Sequence, residues 1–451
     1  MKRVMMPVIV GLLLSLCVSI VAADAKELRA AVARVDITPA PGVNLWGYGN
    51  RKSSATGTLD PLYARVLLLS DGERAVGLVT LDLGRTFGIP SMNLVRERVR
   101  KSSAIEQVFF CASHTHSGPV IEDSYPEGKT PAWESAALEK ISAALEDAKK
   151  RLAPATIGTG FGQTYIGHNR RLVSPDGTVK MFWRNATKIP TSPVDPTVGV
   201  IRVDSANGVP VAILVNYACH PVVFGPDNLR YSADYPGAMA RTVEAAFDNA
   251  PICFFLQGAP GDINPYMDKT PLAENAEKIM VETGQQLGQE AARVAKLIRT
   301  SAPGNPGLNE TLDVMRFKCR WDSQKILAAM AKVYGEAAVK RNASMFADTI
   351  EAPVMTFLID DDIALVGMPG EPFVDFQIDL RARSPLRSTF FVGYSNGYDA
   401  YFPTMRAAVE GGYGANDVVT RVEVGAGETM VDHALATIYK MLGKLHDMPG
   451  R

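Results

Sequence analysis

The sequence predicts a mixed α/β fold, in which one large domain contains internal mixed β-sheets flanked by helices. Strand-length apolar runs rich in Val, Ile and Leu alternate with segments of helical periodicity along the chain, an order typical of α/β or α+β proteins. The 451 residues are 47% hydrophobic, which excludes an intrinsically disordered chain. The 47 basic and 48 acidic residues nearly cancel, so we expect no basic face for nucleic acid.

The elements follow from the local patterns. Short apolar runs bounded by Gly, Pro, Asp or Asn predict strands at 28–35, 64–69, 75–83, 108–111, 198–203, 209–217, 252–256, 354–359 and 363–366. Helical periodicity predicts helices at 90–101, 132–151, 234–247, 273–297, 323–337 and 373–382, followed by a polar C-terminal helix. The Pro- and Gly-rich segment 301–307 interrupts regular structure. We expect no domain boundary there, because candidate functional residues lie on both sides of it.

The amino terminus has the pattern of a secretory signal peptide. Lys2 and Arg3 precede an apolar stretch over 8–21, and Ala23 and Ala25 fit a small-residue cleavage site. We therefore expect a signal peptide at 1–25, a mature domain at 26–451, and a secreted or periplasmic protein. An uncleaved anchor is the alternative. No later apolar run reaches the length of a membrane-spanning helix, so we expect none in the mature chain.

The mature chain has four cysteines: Cys111, Cys219, Cys253 and Cys319. An oxidising compartment would allow them to pair. Cys111 and Cys253 lie in very apolar runs, however, where a buried free thiol is the simpler interpretation.

Histidines supply the first chemical signal. His114 and His116 follow one apolar strand, and His220 follows another. Residues i and i+2 of an extended chain point to the same face, so we expect the first two imidazoles to lie side by side. Such a group suits a metal site, with zinc the common partner of imidazole, although hydrogen-bonded loop histidines remain the alternative. His168, His433 and His446 are expected at the surface.

Acidic residues and tyrosines occur in similar strand-end turns. Asp262 follows the strand at 252–256 and is either a general base or a turn-capping residue. Glu371 follows the strand at 363–366 and precedes a helix, where a carboxylate often only interacts with the helix dipole. The Gly-rich segments 393–404 and 411–414 are dense in Tyr, which from composition alone indicates packing.

Taken in order, these segments resemble the catalytic N-terminal domain of the neutral (non-lysosomal) ceramidase family. The resemblance extends over nearly all of the mature chain. The segments that carry it are 34–38, 44–48, 113–119, 169–170, 217–221, 261–265, 368–371 and 395–398.

The resemblance implies a zinc-dependent amidohydrolase that cleaves ceramide or a related N-acyl amide, a role in sphingolipid metabolism, and one Zn²⁺ per chain. The implied metal ligands are His114, His220, Glu371 and Tyr401. The implied catalytic residues are Asp262, which accepts the proton of the attacking water, and His116, Arg170 and Tyr413, which stabilise the oxyanion. Asn169 and Asn264 are implied in substrate binding. The partner is thus a small-molecule or lipid N-acyl substrate.

The chain departs from the family in two respects. Asn264 stands where family members that hydrolyse ceramide have a serine, and we expect the immunoglobulin-like C-terminal domain of the family to be absent. The first alternative is therefore a zinc hydrolase of the same fold that acts on a more polar amide or ester. The second alternative is a non-catalytic binding protein that keeps the fold.

Overall fold

The computed structural model describes residues 26–123, 125, 128–304, 307–334, 336, 339 and 347–445. The expected signal peptide at 1–25 and His446 lie outside these residues, so their predictions stay open. None of the helices in the described ranges has the length and apolar character needed to cross a bilayer.

Strands and helices alternate along the chain. The strands are β1 (Arg29–Asp36), β2 (Gly57–Thr58), β3 (Tyr63–Ser70), β4 (Ala75–Leu81), β5 (Gln107–Ala112), β6 (Ala153–Gln163), β7 (Gly167–Asn169), β8 (Arg171–Val173), β9 (Val179–Met181), β10 (Thr197–Ser205), β11 (Pro210–Tyr217), β12 (Arg230–Tyr231), β13 (Ile252–Gln257), β14 (Ile263–Pro265), β15 (Leu308–Lys318), β16 (Thr349–Ile359), β17 (Ile363–Gly367), β18 (Glu371–Pro372), β19 (Ser388–Val392) and β20 (Tyr401–Phe402). The helices are α1 (Ile89–Ser103), α2 (Ala132–Lys150), α3 (Tyr235–Ala245), α4 (Ala276–Leu297), α5 (Ser323–Tyr334), α6 (Val374–Arg383), α7 (Met405–Glu410) and α8 (Ala426–Met441).

Two mixed sheets form the centre of the protein. The large sheet has eight strands in the order β13-β11-β10-β6-β1-β3-β4-β5, and the small sheet has the order β15-β16-β17-β19. Most neighbours are antiparallel, but β4 and β5, β11 and β13, and β17 and β19 are parallel. The prediction of a mixed α/β fold with internal mixed sheets and flanking helices is confirmed.

The two sheets pack face to face, with helices on their outer faces. Leu78 and Leu214 of the large sheet share one core with Phe357 of the small sheet. Neighbouring side chains of the same strands, such as Val79, point to the opposite face and pack with the helices, because side chains of a strand alternate between its faces. The layers therefore run helix, sheet, sheet, helix.

The parallel strand pairs determine where the candidate residues lie. His114 follows β5, His220 follows β11, and Asp262 follows β13, while Glu371 follows β17. Gln257, the last residue of β13, holds the segments that follow β5 and β11 together. Its Nε2 donates to the carbonyls of Ser113 at 3.0 Å and Cys219 at 2.9 Å. Because each of these residues directly precedes a candidate histidine, Gln257 ties the two histidine loops together.

Within the two central sheets, the sequence analysis missed three strands: β6, β15 and β19. β6 contains Gly158, Gly160 and Gly162, which are poor strand formers. A Cβ at Gly160 would lie 2.8 Å from the Ile298 side chain, so glycine is required for the close approach of the segment after α4.

Two further expectations concern segment 301–307 and the cysteines. Leu308, directly after the segment, shares a core with Leu67 and Val203, so one core extends to both sides of it. The four cysteines of the described chain are free, in agreement with the simpler of the two interpretations.

Candidate metal centre and its surroundings

Three buried side chains from three separate parts of the chain converge at one point. Nε2 of His114, Nε2 of His220 and a carboxylate oxygen of Glu371 belong to a group whose ligand atoms all lie within 4.8 Å of one another. Glu371 Oε2 is 3.0 Å from His220 Nε2 and 3.7 Å from His114 Nε2. This His-His-Glu cluster brings together three of the four ligands that the sequence analysis expected.

Backbone carbonyls orient both imidazoles. His114 Nδ1 lies 2.6 Å from the Gly84 carbonyl, and His220 Nδ1 lies 2.7 Å from the Pro260 carbonyl. A carbonyl can only accept, so each Nδ1 carries a proton and each Nε2 is turned towards the cluster. Burial lowers the pKa of His114 to about 4, so this imidazole is neutral at pH 7. Neutral, backbone-oriented imidazoles are what metal ligation requires.

Glu371 is held by its neighbours on the opposite side. Its Oε1 accepts a hydrogen bond of 2.6 Å from the Tyr398 hydroxyl, which leaves Oε2 facing the histidines. Burial acts to raise the pKa of Glu371, but the imidazoles of His114 and His220 and the hydrogen bond from Tyr398 lower it overall. The carboxylate is therefore ionised. The two imidazoles and one carboxylate form a donor set that fits a zinc ion.

The surroundings of Glu371 differ from the sequence-based expectation. Helix α6 begins at Val374, and Glu371 lies before it in the two-residue strand β18, paired with Tyr401 of β20. This pairing places the fourth expected ligand, Tyr401, next to Glu371 on the neighbouring strand. The nearby charge of Glu371 adds to burial in raising the pKa of Tyr401 well above 10.

His116 lies against the cluster, but not in the way that the extended-chain argument predicted. His114 has a φ of 70°, so the chain turns at this residue and the prediction of an extended segment is wrong. The two rings nevertheless meet nearly at right angles, with their Nε2 atoms 3.0 Å apart. His116 Nδ1 is buried and has no hydrogen-bond partner among the described residues. His116 is thus the imidazole next to the cluster that lacks a backbone anchor.

Arg170, Tyr401 and Tyr413 line one side of the site, which we call the cationic wall. The NH2 group of Arg170 donates to the Tyr401 hydroxyl at 3.1 Å and to the Gly261 carbonyl at 2.7 Å. The guanidinium lies 5.3 Å from the ring centroid of Tyr413, which is also in edge contact with Tyr401. Arg170 is 3% exposed and Tyr413 is 38% exposed, so the wall leads from the buried cluster towards the surface.

Asn264 links Arg170 to a second charged pair. Its Oδ1 accepts from Arg170 NH1 at 3.1 Å, and its Nδ2 donates to Asp268 Oδ2 at 2.8 Å. The same oxygen of Asp268 lies 2.7 Å from the Lys269 ammonium. Asn264 is thus the centre of a buried polar network.

Asp262 and Asn169 contact each other. Asn169 Nδ2 donates to Asp262 Oδ2 at 2.7 Å, and the Val374 N–H donates to Asp262 Oδ1 at 2.9 Å. The carboxylate therefore anchors the first residue of α6. Burial raises the pKa of Asp262 to about 6, although these two hydrogen bonds oppose the shift. This geometry is compatible with both interpretations from the sequence, in which Asp262 is either a general base or a structural cap.

Other histidines lie outside the centre. The expectation that His168 is a surface residue is wrong, because the pairing of β7 with β14 buries it to 1% exposure. Its Nε2 contacts the Phe182 carbonyl at 2.7 Å. His433 is partly exposed and pairs with Asp313 at 2.8 Å.

Sequence reasoning missed Tyr398 and Gln257 as positioning residues. It also missed Trp183 and Lys269, which lie beside the cationic wall. Tyr398 belongs to the Tyr-rich segment, whose composition indicated only packing. The adjacent charges of Asp268 and Lys269 in a turn between apolar residues were the one available signal for the second pair.

Comparison with known proteins gives consistent results. The profile of the family described as neutral/alkaline non-lysosomal ceramidase, N-terminal, matches residues 29–342. The neutral ceramidase of Mycobacterium tuberculosis (strain ATCC 25618 / H37Rv) is 26% identical over 267 residues, which cover 53% of this chain and 40% of that relative. The match thus spans less than half of the relative's length.

Solved structures share the fold. The neutral ceramidase from Pseudomonas aeruginosa superposes with a TM-score of 0.73 and 18% identity, covering 94% of this chain and 76% of the other. A structure described as ceramidase complexed with C2 has the same TM-score and identity and is covered to 77%.

Proposed function

The chain belongs to the neutral/alkaline non-lysosomal ceramidase family, and on this premise we propose that it is a zinc-dependent amidohydrolase that cleaves an N-acyl amide. The observation that supports the proposal most directly is the buried cluster of His114, His220 and Glu371. Both imidazoles have their Nδ1 atoms occupied by backbone carbonyls. A purely structural role does not require two histidine Nε2 atoms to be turned towards each other and towards a carboxylate.

The metal would be held by the three cluster residues, with Tyr401 as the proposed fourth ligand. The chemistry that zinc supplies in such a site is Lewis acidity, which polarises an amide carbonyl and makes water nucleophilic near neutral pH. Gly84 and Pro260 fix the ring orientations through their carbonyls, and Tyr398 fixes the carboxylate. These contacts keep the ligands arranged before substrate arrives, so no reorganisation is needed during the reaction.

Oxyanion stabilisation is assigned to the cationic wall. Arg170 is buried and fixed by Gly261, Asn264 and Tyr401, and its Nε has no hydrogen-bond partner in the described chain. A fixed, desolvated cation stabilises developing negative charge far more than a solvated one does. His116 and Tyr413 are the other proposed donors to the tetrahedral intermediate.

Asp262 is the proposed proton acceptor. A pKa of about 6 keeps the carboxylate ionised at neutral pH and leaves it more basic than an exposed aspartate, which suits general base catalysis. Its hydrogen bonds with Asn169 and Val374 give it a structural role as well. The two roles predict different behaviour of the Asp262→Asn variant.

Ceramide is one candidate substrate, and a more polar N-acyl amide is the other. The polar network of Arg170, Asn264, Asp268 and Lys269 favours the second, because alkyl chains gain nothing from buried charge. Ester substrates would use the same groups.

The test is a product assay on purified, zinc-loaded protein. The substrates are a short-chain ceramide, N-octanoylethanolamine and N-octanoylglycine, and the products are the free amine and the fatty acid, measured by mass spectrometry. We expect hydrolysis of at least one substrate, and loss of that hydrolysis in His220→Ala. His433→Ala, which changes a histidine at the surface, is the matched control and should retain activity.

Absence of product from every substrate, with zinc bound, would overturn the proposal in favour of a binding protein. Hydrolysis that persists in His220→Ala would show that the reaction takes place elsewhere.

We also propose that the protein is exported. The support is the charged and apolar pattern of 1–25 in the sequence. N-terminal sequencing of protein recovered from the periplasm or medium tests this, with a start after Ala23 or Ala25 expected and retention in the cytoplasm contradicting it.

A further inference from the structure

Lys269 lies in the polar network beside the candidate metal centre, and the proposed reaction does not use it. Its ammonium contacts Asp268 Oδ2 at 2.7 Å and lies 4.3 Å from the ring centroid of Trp183. Its backbone is fixed, since its N–H donates to the Val222 carbonyl at 2.8 Å and its φ is 49°. Positive φ is costly for a lysine and persists where surrounding structure imposes it. The position of this side chain is therefore strongly determined.

Trp183 connects Lys269 to the cationic wall. The Arg170 guanidinium lies 5.2 Å from the Trp183 ring centroid, and Tyr413 is in edge contact with the same ring. These ring contacts place the ammonium on the side of the site that Arg170 and Tyr413 line.

The two members of the charged pair differ in exposure. The Asp268 side chain is 0% exposed and that of Lys269 is 37% exposed. An ammonium has three donors, and one is directed to Asp268. The remaining donors have no protein partner among the described residues and are within reach of solvent. Lys269 thus has both the access and the free donors to bind a ligand oxygen.

We propose that Lys269 is a specificity-determining residue that binds a carboxylate on the substrate, which makes the preferred substrates N-acyl amino acids. This inference rests on the proposed function, because it assigns the substrate class of the same site. The amide of an N-acyl amino acid has its carboxylate one carbon from the nitrogen, so one molecule presents the scissile bond and an anion together.

Charge balance favours a singly charged anion. Arg170 and Lys269 together carry two positive charges, and Asp268 carries one negative charge. These three side chains therefore have a net charge of +1. Asp268 Oδ1 is buried without a partner in the described chain and would repel a phosphate dianion more strongly than a carboxylate. The sphingoid part of a ceramide, whose nitrogen is a neutral amide, would leave the excess charge unmatched.

The test compares two substrates that differ in one group. N-octanoylglycine and N-octanoylethanolamine have the same acyl chain and a similar length, but only the first carries a carboxylate. We expect kcat/KM of the wild type to favour the glycine conjugate by about tenfold or more, and Lys269→Met to lower that ratio by a similar factor, mainly through KM. Lys269→Arg, which keeps the charge, should retain most of the preference.

Two controls separate recognition from stability. Asp268→Asn/Lys269→Met removes both charges, so no buried carboxylate is left without its cation, and the same loss of preference is expected. Lys188→Met changes another lysine that lies against an aromatic ring, 5.4 Å from the Tyr266 centroid, and should keep the wild-type ratio. Because the ratio is measured on one preparation, partial unfolding cancels from it.

The outcomes distinguish this inference from the proposed function. Hydrolysis in which the ethanolamide is preferred, or in which Lys269→Met keeps the wild-type ratio, overturns the role of Lys269 and leaves the amidohydrolase intact. Hydrolysis of ceramide alone also overturns it. Absence of hydrolysis of all substrates overturns the proposed function, and the inference with it.

Discussion

Tyr398 and Glu371 are joined by a hydrogen bond of 2.6 Å from the phenol to Oε1. This bond occupies one carboxylate oxygen and turns the other, Oε2, towards His220 Nε2 at 3.0 Å. Loss of a group that orients a metal ligand in this way typically lowers metal affinity by about 10- to 100-fold. Tyr398 is therefore a positioning residue for the candidate metal centre.

Replacing Tyr398 by Phe tests this role. Tyr398→Phe removes only the hydroxyl, so Glu371 loses its fixed orientation, and we expect the affinity for zinc to fall by about 10- to 100-fold. Competition with a chelator of known affinity measures the change. Tyr231→Phe is the control, because that hydroxyl contacts Ala40 at 3.3 Å, outside the centre. Equal zinc affinity in wild type and Tyr398→Phe would contradict the assignment.

Removing a ligand has a larger effect. His114→Ala, His220→Ala and Glu371→Ala should each abolish both bound zinc and amide hydrolysis, because each variant leaves only two of the three cluster ligands beside the proposed ligand Tyr401. Elemental analysis of each purified variant, with circular dichroism as a check on folding, gives the result. Full zinc occupancy in all three variants would remove these residues as ligands.

The Asp262→Asn variant separates the two roles of Asp262 through pH. Burial raises the pKa from 3.8 to about 6, so the folded state binds the proton more tightly than the unfolded state. The stability that this adds is fully present below pH 3.8 and is lost as pH rises through 6, by on the order of 3 kcal/mol. Asn does not titrate. Urea unfolding from pH 4 to 7 should show the wild type losing stability relative to the variant.

A pH-independent difference between wild type and Asp262→Asn would contradict the raised pKa. Turnover of the same folded variant tests the catalytic role separately. We expect zinc to be retained and turnover to be lost, and an unchanged rate would leave Asp262 only its contacts with Val374 and Asn169.

Asn264→Ser tests whether the side chain at position 264 determines substrate choice. A serine side chain is too short to contact Arg170 and Asp268 together, so both would lose a buried partner. We expect the free energy of unfolding to fall by about 1–3 kcal/mol, with no gain in hydrolysis of short-chain ceramide. Denaturant unfolding and product assays measure both. A gain in ceramide hydrolysis at unchanged stability would show that this one residue sets substrate choice.

The sequence predicts most of the fold, because the central strands are apolar and end at clear turn residues. Strands such as β11 and β13 are recognisable from their own residues. β6 is not recognisable in this way, because glycines such as Gly160 allow the close approach of Ile298 from a distant segment. Contacts of that kind depend on the tertiary structure and leave little local signal.

The same limit applies to the site. The strand-end positions of His114, His220 and Glu371 are local features, and their resemblance to a known family supplied the roles. The orienting contacts of Tyr398 and Gln257, and the pairing of Lys269 with Asp268 beside Trp183, join residues far apart in sequence or hidden in a turn. The sequence analysis wrongly expected His168 at the surface for a related reason, since its burial depends on the pairing of β7 with β14.

A zinc titration of the metal-stripped protein tests the central claim most directly. Amide hydrolysis would be followed as zinc is added to wild-type protein freed of metal by a chelator. We predict no activity without zinc, then a rise that saturates at about one zinc ion per chain. Activity that survives stripping, or that does not return at any amount of zinc, would contradict a metal-dependent hydrolase centred on His114, His220 and Glu371.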